Sequence, residues 1–312
     1  MLKYILTDTS GIVTGLSEPV SMNLVSSSDA PADSLRITFA LSGDIPVVYS
    51  VRVQNGGDTV FFGYADEQTE TVCGSGVLLT VKARSLAAVL LDNEACPQVY
   101  CLPTMEMLFQ RHFRPLGFEG YTGGDRVCRG DLVISKGMSE WQVLSRFCRS
   151  CGLEEPWVTH DGIIVTDGRQ ADTIFLDGAS PRLRLSRTVR RNALISDIYI
   201  RTSKADGYAY HMENNHAREN KGLRIRYLNA ADDFRRSPAY AKKIMDAGNS
   251  AYITCTVQVG GIISCRTGDR LVIGGQGESF IIRELRFILG RDGEMTVITA
   301  EVENNVDIKK YG

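Results

Sequence analysis

Apolar and polar residues alternate along much of the chain with a period of two, which is the spacing of β-strands that bury one face. The segment Leu35–Phe39 shows the pattern clearly, because leucine, isoleucine and phenylalanine alternate with arginine and threonine. Turn-forming pairs such as Asn55-Gly56 separate the alternating segments. Strands are therefore predicted at 1–8, 35–39, 46–53, 59–64, 77–83, 195–201, 223–228, 251–259, 270–273, 279–288 and 295–302. The polar residues 65–71 are expected to end the strand before them.

Four segments carry apolar residues at helical spacing, and each follows a residue type that favours the N-cap position. The predicted N-caps are Ser85, Thr104, Ser139 and Ser237. The predicted helix ends lie at Asp92, Gly117, Gly152 and Gly248. In the third helix Trp141 shares a face with Leu144 and Phe147, so we expect its side chain to be buried.

The order of these elements predicts a mainly β protein with an α+β insert. Residues 1–92 hold only strands and one short helix, and residues 93–181 hold two helices and a hairpin at 157–166. Residues 182–312 return to strands, with one inserted helix near 237–247. Short strands with regular turns are typical of small barrels. We therefore predict two small β-barrel domains that flank a small α+β module.

The stretch from Phe61 to Pro97 resembles a known family. Its strand Phe61–Glu67 (FFGYADE), followed by Ala83–Ala95 (ARSLAAVLLDNEA), is similar to the baseplate hub proteins of contractile phage tails and phage-tail-like bacteriocins. This group includes the phage late control protein D and the spike proteins of type VI secretion. Further matches occur at Asp29–Phe39, Trp141–Cys148, Gly152-Leu153 and Asp161-Gly162. The resemblance covers most of the chain, but none of its motifs is catalytic.

The resemblance implies a structural hub. Three copies with two barrels each would form a pseudo-sixfold ring, which joins the hexameric tail tube to a trimeric spike. The implied partners are further copies of the chain, the tail tube protein, the spike protein, baseplate wedge proteins and a LysM-like adaptor. We expect synthesis in the bacterial cytoplasm and incorporation into a virion or tail-like particle.

Composition and charge add little that is specific. The chain has 312 residues and a formal net charge of −2, which indicates neither a nucleic acid nor a membrane as partner. Its apolar runs are all shorter than the roughly 20 residues that span a bilayer. The eight cysteines are expected to be thiols, with Cys73, Cys255 and Cys265 acting as small apolar residues in strands.

The sequence shows no catalytic set, and no cofactor is predicted. The adjacent carboxylates Asp66-Glu67 and Glu154-Glu155 do not supply a glycosidase geometry, because adjacent strand residues point to opposite faces. A glycosidase needs two carboxylates about 5 to 10 Å apart across a cleft. A tail protein that binds cell-wall glycan, or hydrolyses peptidoglycan, remains the alternative.

For two segments, a metal site is an alternative interpretation. Tyr208–His216 contains two tyrosines and two histidines, and a polar hairpin loop is the favoured interpretation. Cys148 and Cys151 have the spacing of zinc ligands, with Cys128 and His160 as further candidates. Core packing is favoured for these cysteines.

The segment 182–236 is strongly basic, with thirteen arginines and lysines against six acidic residues. The candidate interface residues are Arg182, Arg184, Arg187, Arg190 and Arg191. Strand spacing is expected to place Arg182 and Arg184 on one face and to turn Leu183 and Leu185 inward. We expect this arginine row to contact acidic residues of a neighbouring hub chain or of the tail tube, and a solvated face is the alternative.

Overall fold

A computed structural model describes residues 2–16, 18–41, 43, 46–74, 76–176, 182–201, 207–229, 238–274, 279–302 and 310–311. The chain divides into two compact units. The first is Met1–Gln170 with Arg286–Glu294, and the second is Ala171–Leu285 with Met295–Gly312. The three domains drawn from the sequence, at 1–92, 93–181 and 182–312, remain a prediction.

The first unit begins with seven antiparallel strands. These strands, β1 to β7, are Leu2–Asp8, Val13–Leu16, Ser21–Ser27, Ser34–Leu41, Val48–Asn55, Asp58–Cys73 and Gly76–Ser85. They pair in the order β2-β1-β5-β6-β7-β4-β3. The alternation seen in the sequence is the burial pattern of β4, since Leu35, Ile37 and Phe39 are buried while their neighbours face outward.

Strand β6 is longer than the sequence predicted. It was expected to stop at Tyr64, but it continues to Cys73 because β7 pairs with it along this whole length, ending at the pair Cys73 and Gly76. The polar residues therefore belong to an exposed part of the strand. Cys73 is itself exposed, so the prediction that it serves as a small apolar residue is wrong.

The close packing of β6 against β7 explains the glycine of the FFGY motif, Gly63. A Cβ at this position would lie 2.0 Å from the backbone carbonyl oxygen of Arg84 in β7. Only glycine permits this approach of the two strands, because a side chain would collide with backbone atoms.

The rest of the first unit is the mixed module that the sequence predicted. Its elements are α1 Ala87–Asp92, β8 Gln98–Tyr100, α2 Met105–Leu108, β9 Gly120–Tyr121, β10 Leu132–Ile134, α3 Glu140–Cys151, β11 Trp157–Val158 and β12 Ile163–Val165. Helix α2 continues as a π-helical turn over Phe109–Phe113 and a 3-10 turn over Arg114–Leu116. Gly117 follows in the left-handed conformation with φ 91°, as its predicted place at the helix end requires.

Two predicted N-caps are confirmed and one is wrong. The side chain of Thr104 accepts from the backbone N–H of Met107, and Ser139 forms a reciprocal capping box with Gln142. Ser85 does not cap α1, because it ends β7, where its hydroxyl accepts from the backbone N–H of Asp33 at 2.9 Å.

Trp141 lies in the main apolar core of the first unit, as predicted. Its side chain is 8% exposed and belongs to a cluster that also contains Leu144, Phe147 and Cys148. Helix α3 therefore supplies the apolar face of this module.

The second unit contains two sheets. Its elements are β13 Thr173–Leu176, β14 Arg182–Val189, β15 Ile195–Ile200, β16 Tyr210–Glu213, α4 Asn215–Glu219, β17 Arg224–Leu228, α5 Pro238–Ser250, β18 Ile253–Gly260, β19 Arg270–Ile273, β20 Ser279–Gly290, β21 Gly293–Val302 and β22 Lys310–Tyr311. The end of β20 and the start of β21, within Arg286–Glu294, are counted with the first unit. The first sheet has the order β14-β18-β21-β20-β19-β13, and the second has the order β17-β15-β16-β22. The mainly β class with a small helical insert is confirmed.

Two predictions in this unit are wrong. The segment around His211 is not a loop, because Tyr210–Glu213 is a strand and Asn215–Glu219 is a helix. Gly248 does not end α5, which runs on to Ser250 with this glycine packed against the carbonyl oxygen of Ala193. The predicted cap Ser237 lies outside the described residues.

Candidate interaction surface

The predicted arginine row lies on β14, which is the edge strand of its sheet. Strand β14 pairs with β18 on one side only among the described strands. Exposed side chains on and after this strand are those of Arg184, Arg187, Arg190 and Arg191. Arg182 and Leu183 belong to the same strand, but their side chains lie outside the described residues.

A β-bulge changes the expected arrangement of the row. Arg182 pairs with Val259 while Arg184 pairs with Gln258, so adjacent residues of β18 face two arginines that are two positions apart. The register of β14 on β18 is therefore not that of a regular strand at this point. Leu185 was expected to pack inward, but its side chain is 37% exposed.

The row leads into an open groove beside the second sheet. Residues 191–193 form a 3-10 turn, after which β15 begins. Arg191 lines the groove together with Leu194, Lys221, Leu223 and Arg224. One guanidinium N–H of Arg224 donates to the backbone carbonyl of Asn192 at 3.2 Å, which ties the turn to β17. The groove is shallow and basic, so it suits a surface contact better than an enclosed small ligand.

Strand β17 forms the outer edge of the second sheet and is exposed on both faces. It runs parallel to β15, and its other edge pairs with no described strand. Leu223, immediately before it, is 88% exposed, and Ile225 and Tyr227 are 49% and 61% exposed. Arg224 and Arg226 between them are exposed as well. Apolar side chains so exposed on an open strand edge make β17 a candidate interaction surface.

Aromatic rings are stacked across the solvent-facing side of the same sheet. The rings of Tyr199 and His211 lie 4.3 Å apart between centroids and are nearly parallel, at 3°. Tyr227 stacks on the other side of Tyr199 at 5.2 Å, and Tyr208 meets Tyr227 edge-on at the same distance. The two faces of Tyr199 are thus covered by neighbouring rings.

An ion-pair network lies beside these rings. His211 Nε2 is 2.9 Å from Asp197 Oδ1, and the guanidinium of Arg218 lies 2.6 Å from Asp197 and 3.0 Å from Glu213. Burial pushes the pKa of Asp197 upward, but hydrogen bonds from Ser196, His211 and Arg218 outweigh it and lower this pKa.

The same residues form the one possible metal-ligand group in the part of the chain that the structure describes. The ligand atoms of Asp197, His211 and Glu213 lie within 4.8 Å of one another. The guanidinium of Arg218 already forms ion pairs with both carboxylates of this group. The donor set therefore fits a structural ion-pair network, and a cation would have to displace Arg218.

The four cysteine and histidine candidates for zinc do not form such a group among the described residues. They are Cys128, Cys148, Cys151 and His160. Burial raises the pKa of the Cys148 thiol to about 12, which disfavours the thiolate that zinc binds. Cys128 contacts the hydroxyl of Ser150 at 2.9 Å. Core packing of Cys128 and Cys148 is confirmed.

The adjacent carboxylates Asp66 and Glu67 are held in cross-strand ion pairs. Arg84 donates to both oxygens of Asp66 at 2.8 and 2.9 Å, and Lys82 lies 2.8 Å from Glu67. Hydrogen bonds from Arg84 also lower the pKa of Asp92. The ion pairs of Asp66 and Glu67 thus join β6 to β7.

Reasoning from sequence missed a buried polar set in the first unit. His112 Nε2 lies 3.0 Å from the hydroxyl of Tyr100, and His112 Nδ1 lies 2.9 Å from Glu140 Oε2. All three residues are buried. Since they come from three separate elements, only the folded structure brings them together.

Comparison with models of known protein families and with curated protein sequences finds no match. Comparison with solved structures does find similar folds. A tail protein from Neisseria meningitidis MC58 shares 19% identity, with 97% of each chain covered and a TM-score of 0.74. The 43 kDa tail protein of prophage MuSo2 from Shewanella oneidensis shares 14% identity, with 96% of this chain and 98% of that chain covered and a TM-score of 0.78.

A third similar structure comes from secretion rather than from a phage. It is an E. coli component of the type VI secretion system, described as structurally similar to tail proteins of bacteriophage T4. Its identity is 10%, and the match covers 100% of this chain and 79% of that chain with a TM-score of 0.52. The chain therefore has the fold of phage tail proteins, and its resemblance to the baseplate hub group is confirmed at the level of the fold.

Proposed function

We propose that the chain is the structural hub of a contractile phage tail or tail-like particle. In this role three copies form a ring that joins the hexameric tail tube to a trimeric spike. The observation that carries the proposal is the likeness to two tail proteins over nearly the full length of all three chains. The further partners that we propose are baseplate wedge proteins and a LysM-like adaptor.

The exposed basic edges of the second unit support a role in assembly. In the described part of the chain no carboxylate pairs with Arg184, Arg190 or Arg191. Guanidinium groups clustered in this way repel each other in an isolated monomer, and carboxylates of a partner convert the repulsion into pairing. We propose that this row contacts an acidic surface in the assembled baseplate.

Charge reversal tests this contact. The double substitution Arg184→Glu with Arg191→Glu is expected to leave the thermal unfolding temperature unchanged but to stop the formation of complete particles. A matched control is Arg129→Glu with Lys136→Glu, which makes the same charge change at exposed positions of the first unit. Intact particles at normal yield from the arginine variant contradict the proposal.

A tail protein that binds or cleaves cell-wall glycan is the second candidate, and the rings of Tyr199, Tyr208 and Tyr227 are the observation that favours it. Glycan recognition uses an open ring face, whereas both faces of Tyr199 are covered. We therefore expect purified protein neither to sediment with peptidoglycan nor to clear a suspension of it. Clearing that is lost in Glu67→Gln, Asp66→Asn, His211→Ala or His216→Ala would replace the hub proposal.

A further inference from the structure

Two strand edges of opposite charge are open in this chain. The first is β17 in the second unit, whose outer edge pairs with no described strand. The second is the β6 arm, which we define as residues 65–73 of β6. The arm extends past Tyr64, the last residue of β6 that pairs with β5, so that only β7 pairs with it among the described strands.

The two edges are complementary in charge. The β6 arm carries Asp66, Glu67 and Glu70 and no basic residue. Strand β17 and the residues just before it carry Lys221, Arg224 and Arg226 and no acidic residue. Opposite charges across paired strands stabilise the pairing, and like charges weaken it.

Glu70 and Arg226 are the best candidates for a direct pair. Asp66 and Glu67 are held by Arg84 and Lys82 of their own chain. Glu70 contacts only the amide of Gln68, at 3.5 Å, among the described residues. Arg226 is exposed and forms no ion pair with a described residue.

The two edges also match in length and in apolar character. Residues 69–73 of the arm are exposed, and Val72 among them is 82% exposed. Strand β17 has the same five-residue length, which corresponds to about 17 Å of extended chain. Both edges expose apolar side chains, Val72 on the arm and Ile225 and Tyr227 on β17. The backbone groups of both edges gain partners when the edges pair.

We infer that the β6 arm of one copy adds as a strand to β17 of a second copy. The donor and acceptor are different surfaces, so the contact is head-to-tail, and contacts of this kind close into rings when the rotation permits. The inference rests on the proposed function, since the hub ring is the assembly in which the copies meet. It names the strands through which one copy holds the next.

Disulfide trapping in purified particles tests the contact. Cys73 is exposed near the end of the arm and serves as one thiol. If Glu70 lies opposite Arg226, Cys73 lies opposite residue 223 in antiparallel addition and opposite residue 229 in parallel addition. Leu223→Cys therefore supplies the second thiol for antiparallel addition, and Asn229→Cys supplies it for parallel addition. Mild oxidation is expected to link chains covalently in one of these two variants, because a disulfide needs Cβ atoms within about 4.5 Å. The same variant combined with Cys73→Ser is the control and should not form the link.

A charge exchange provides the second measurement. Arg226→Glu and Glu70→Arg are each expected to lower particle yield about tenfold or more, and the combined variant is expected to recover most of it. Particles that contain the chain but form no disulfide link in either cysteine variant contradict the inference and leave the hub role standing. The same conclusion follows if the combined charge-exchange variant does not recover the particle yield. Particles that form without the chain contradict the hub role itself.

Discussion

At the level of single residues, the fold is stabilised by side chains that are buried in a core or held in ion pairs. Trp141 shows how far sequence alone reaches here. Its helical spacing relative to Leu144 and Phe147 predicted burial, and all three lie in one core. Helical periodicity identifies the buried face of a single helix. It therefore predicts burial correctly where one helix packs on a core with one face.

Trp141→Ala is expected to destabilise the first unit by about 3–5 kcal/mol, because truncation of a buried tryptophan leaves a cavity in the core. Urea unfolding followed by circular dichroism measures this loss. Val133→Ala is the matched control, since that side chain is exposed and its truncation should change the free energy of unfolding little. A free energy of unfolding for Trp141→Ala equal to that of the wild type would show that this side chain does not stabilise the core.

Asp197 makes stability depend on acid pH. Its pKa is lower in the folded protein than the ordinary value of 3.8, so it stabilises the fold fully above that pH. This contribution is lost as the pH falls below 3.8 towards the folded pKa. Asp197→Asn is therefore expected to be less stable than wild type at pH 7, with the difference shrinking in acid.

Urea unfolding at pH 7 and at about pH 3 measures this difference, since the ordinary aspartate pKa lies between the two values. Asp29→Asn is the control, because that residue is exposed. A stability gap between wild type and Asp197→Asn that stays constant with pH would show that the network with His211 and Arg218 does not hold the carboxylate in its charged form.

At the scale of elements, the alternating pattern located most strands but not their full extent. Strand β6 continues to Cys73 because β7 pairs with it, and pairing with a distant segment leaves no local signal in a polar stretch. The sequence likewise did not predict the bulge at Arg182, because a bulge depends on how β14 pairs with β18. Strand β17 was predicted as a strand, but its exposure on both faces was not. That exposure arises because β17 is the last described strand of its sheet, which its own residues do not indicate.

Gly63 supplies a test at this scale. Gly63→Ala is expected to disrupt the pairing of β6 with β7, because the added Cβ would lie 2.0 Å from the carbonyl oxygen of Arg84. The melting temperature should fall clearly, or the protein should not accumulate in soluble form. Gly57→Ala is the control, since an added Cβ there meets no atom within 4 Å. Equal stability of the two variants would show that the close strand approach is not required.

At the scale of the whole molecule, the fold class was predictable and the assembly was not. Alternating strands with two capped helices in between predicted a mainly β chain, and the likeness to tail proteins agrees with the resemblance seen around Phe61–Pro97. The contacts between copies involve more than one chain, so a single sequence does not show them directly. The sequence showed an excess of arginine at 182–236, and the structure adds that β14 and β17 in this segment are edge strands. Among the described residues, none of the helices could span a lipid bilayer.

The number of copies in the assembled particle decides whether the chain is a trimeric hub. Electron cryo-microscopy of purified particles gives this number from the symmetry of the ring that contains the chain. The account predicts three copies between the hexameric tube and the spike, with two β-rich units of each copy arranged in a pseudo-sixfold ring. Six copies with true sixfold symmetry, or a position of the chain outside this junction, would contradict it.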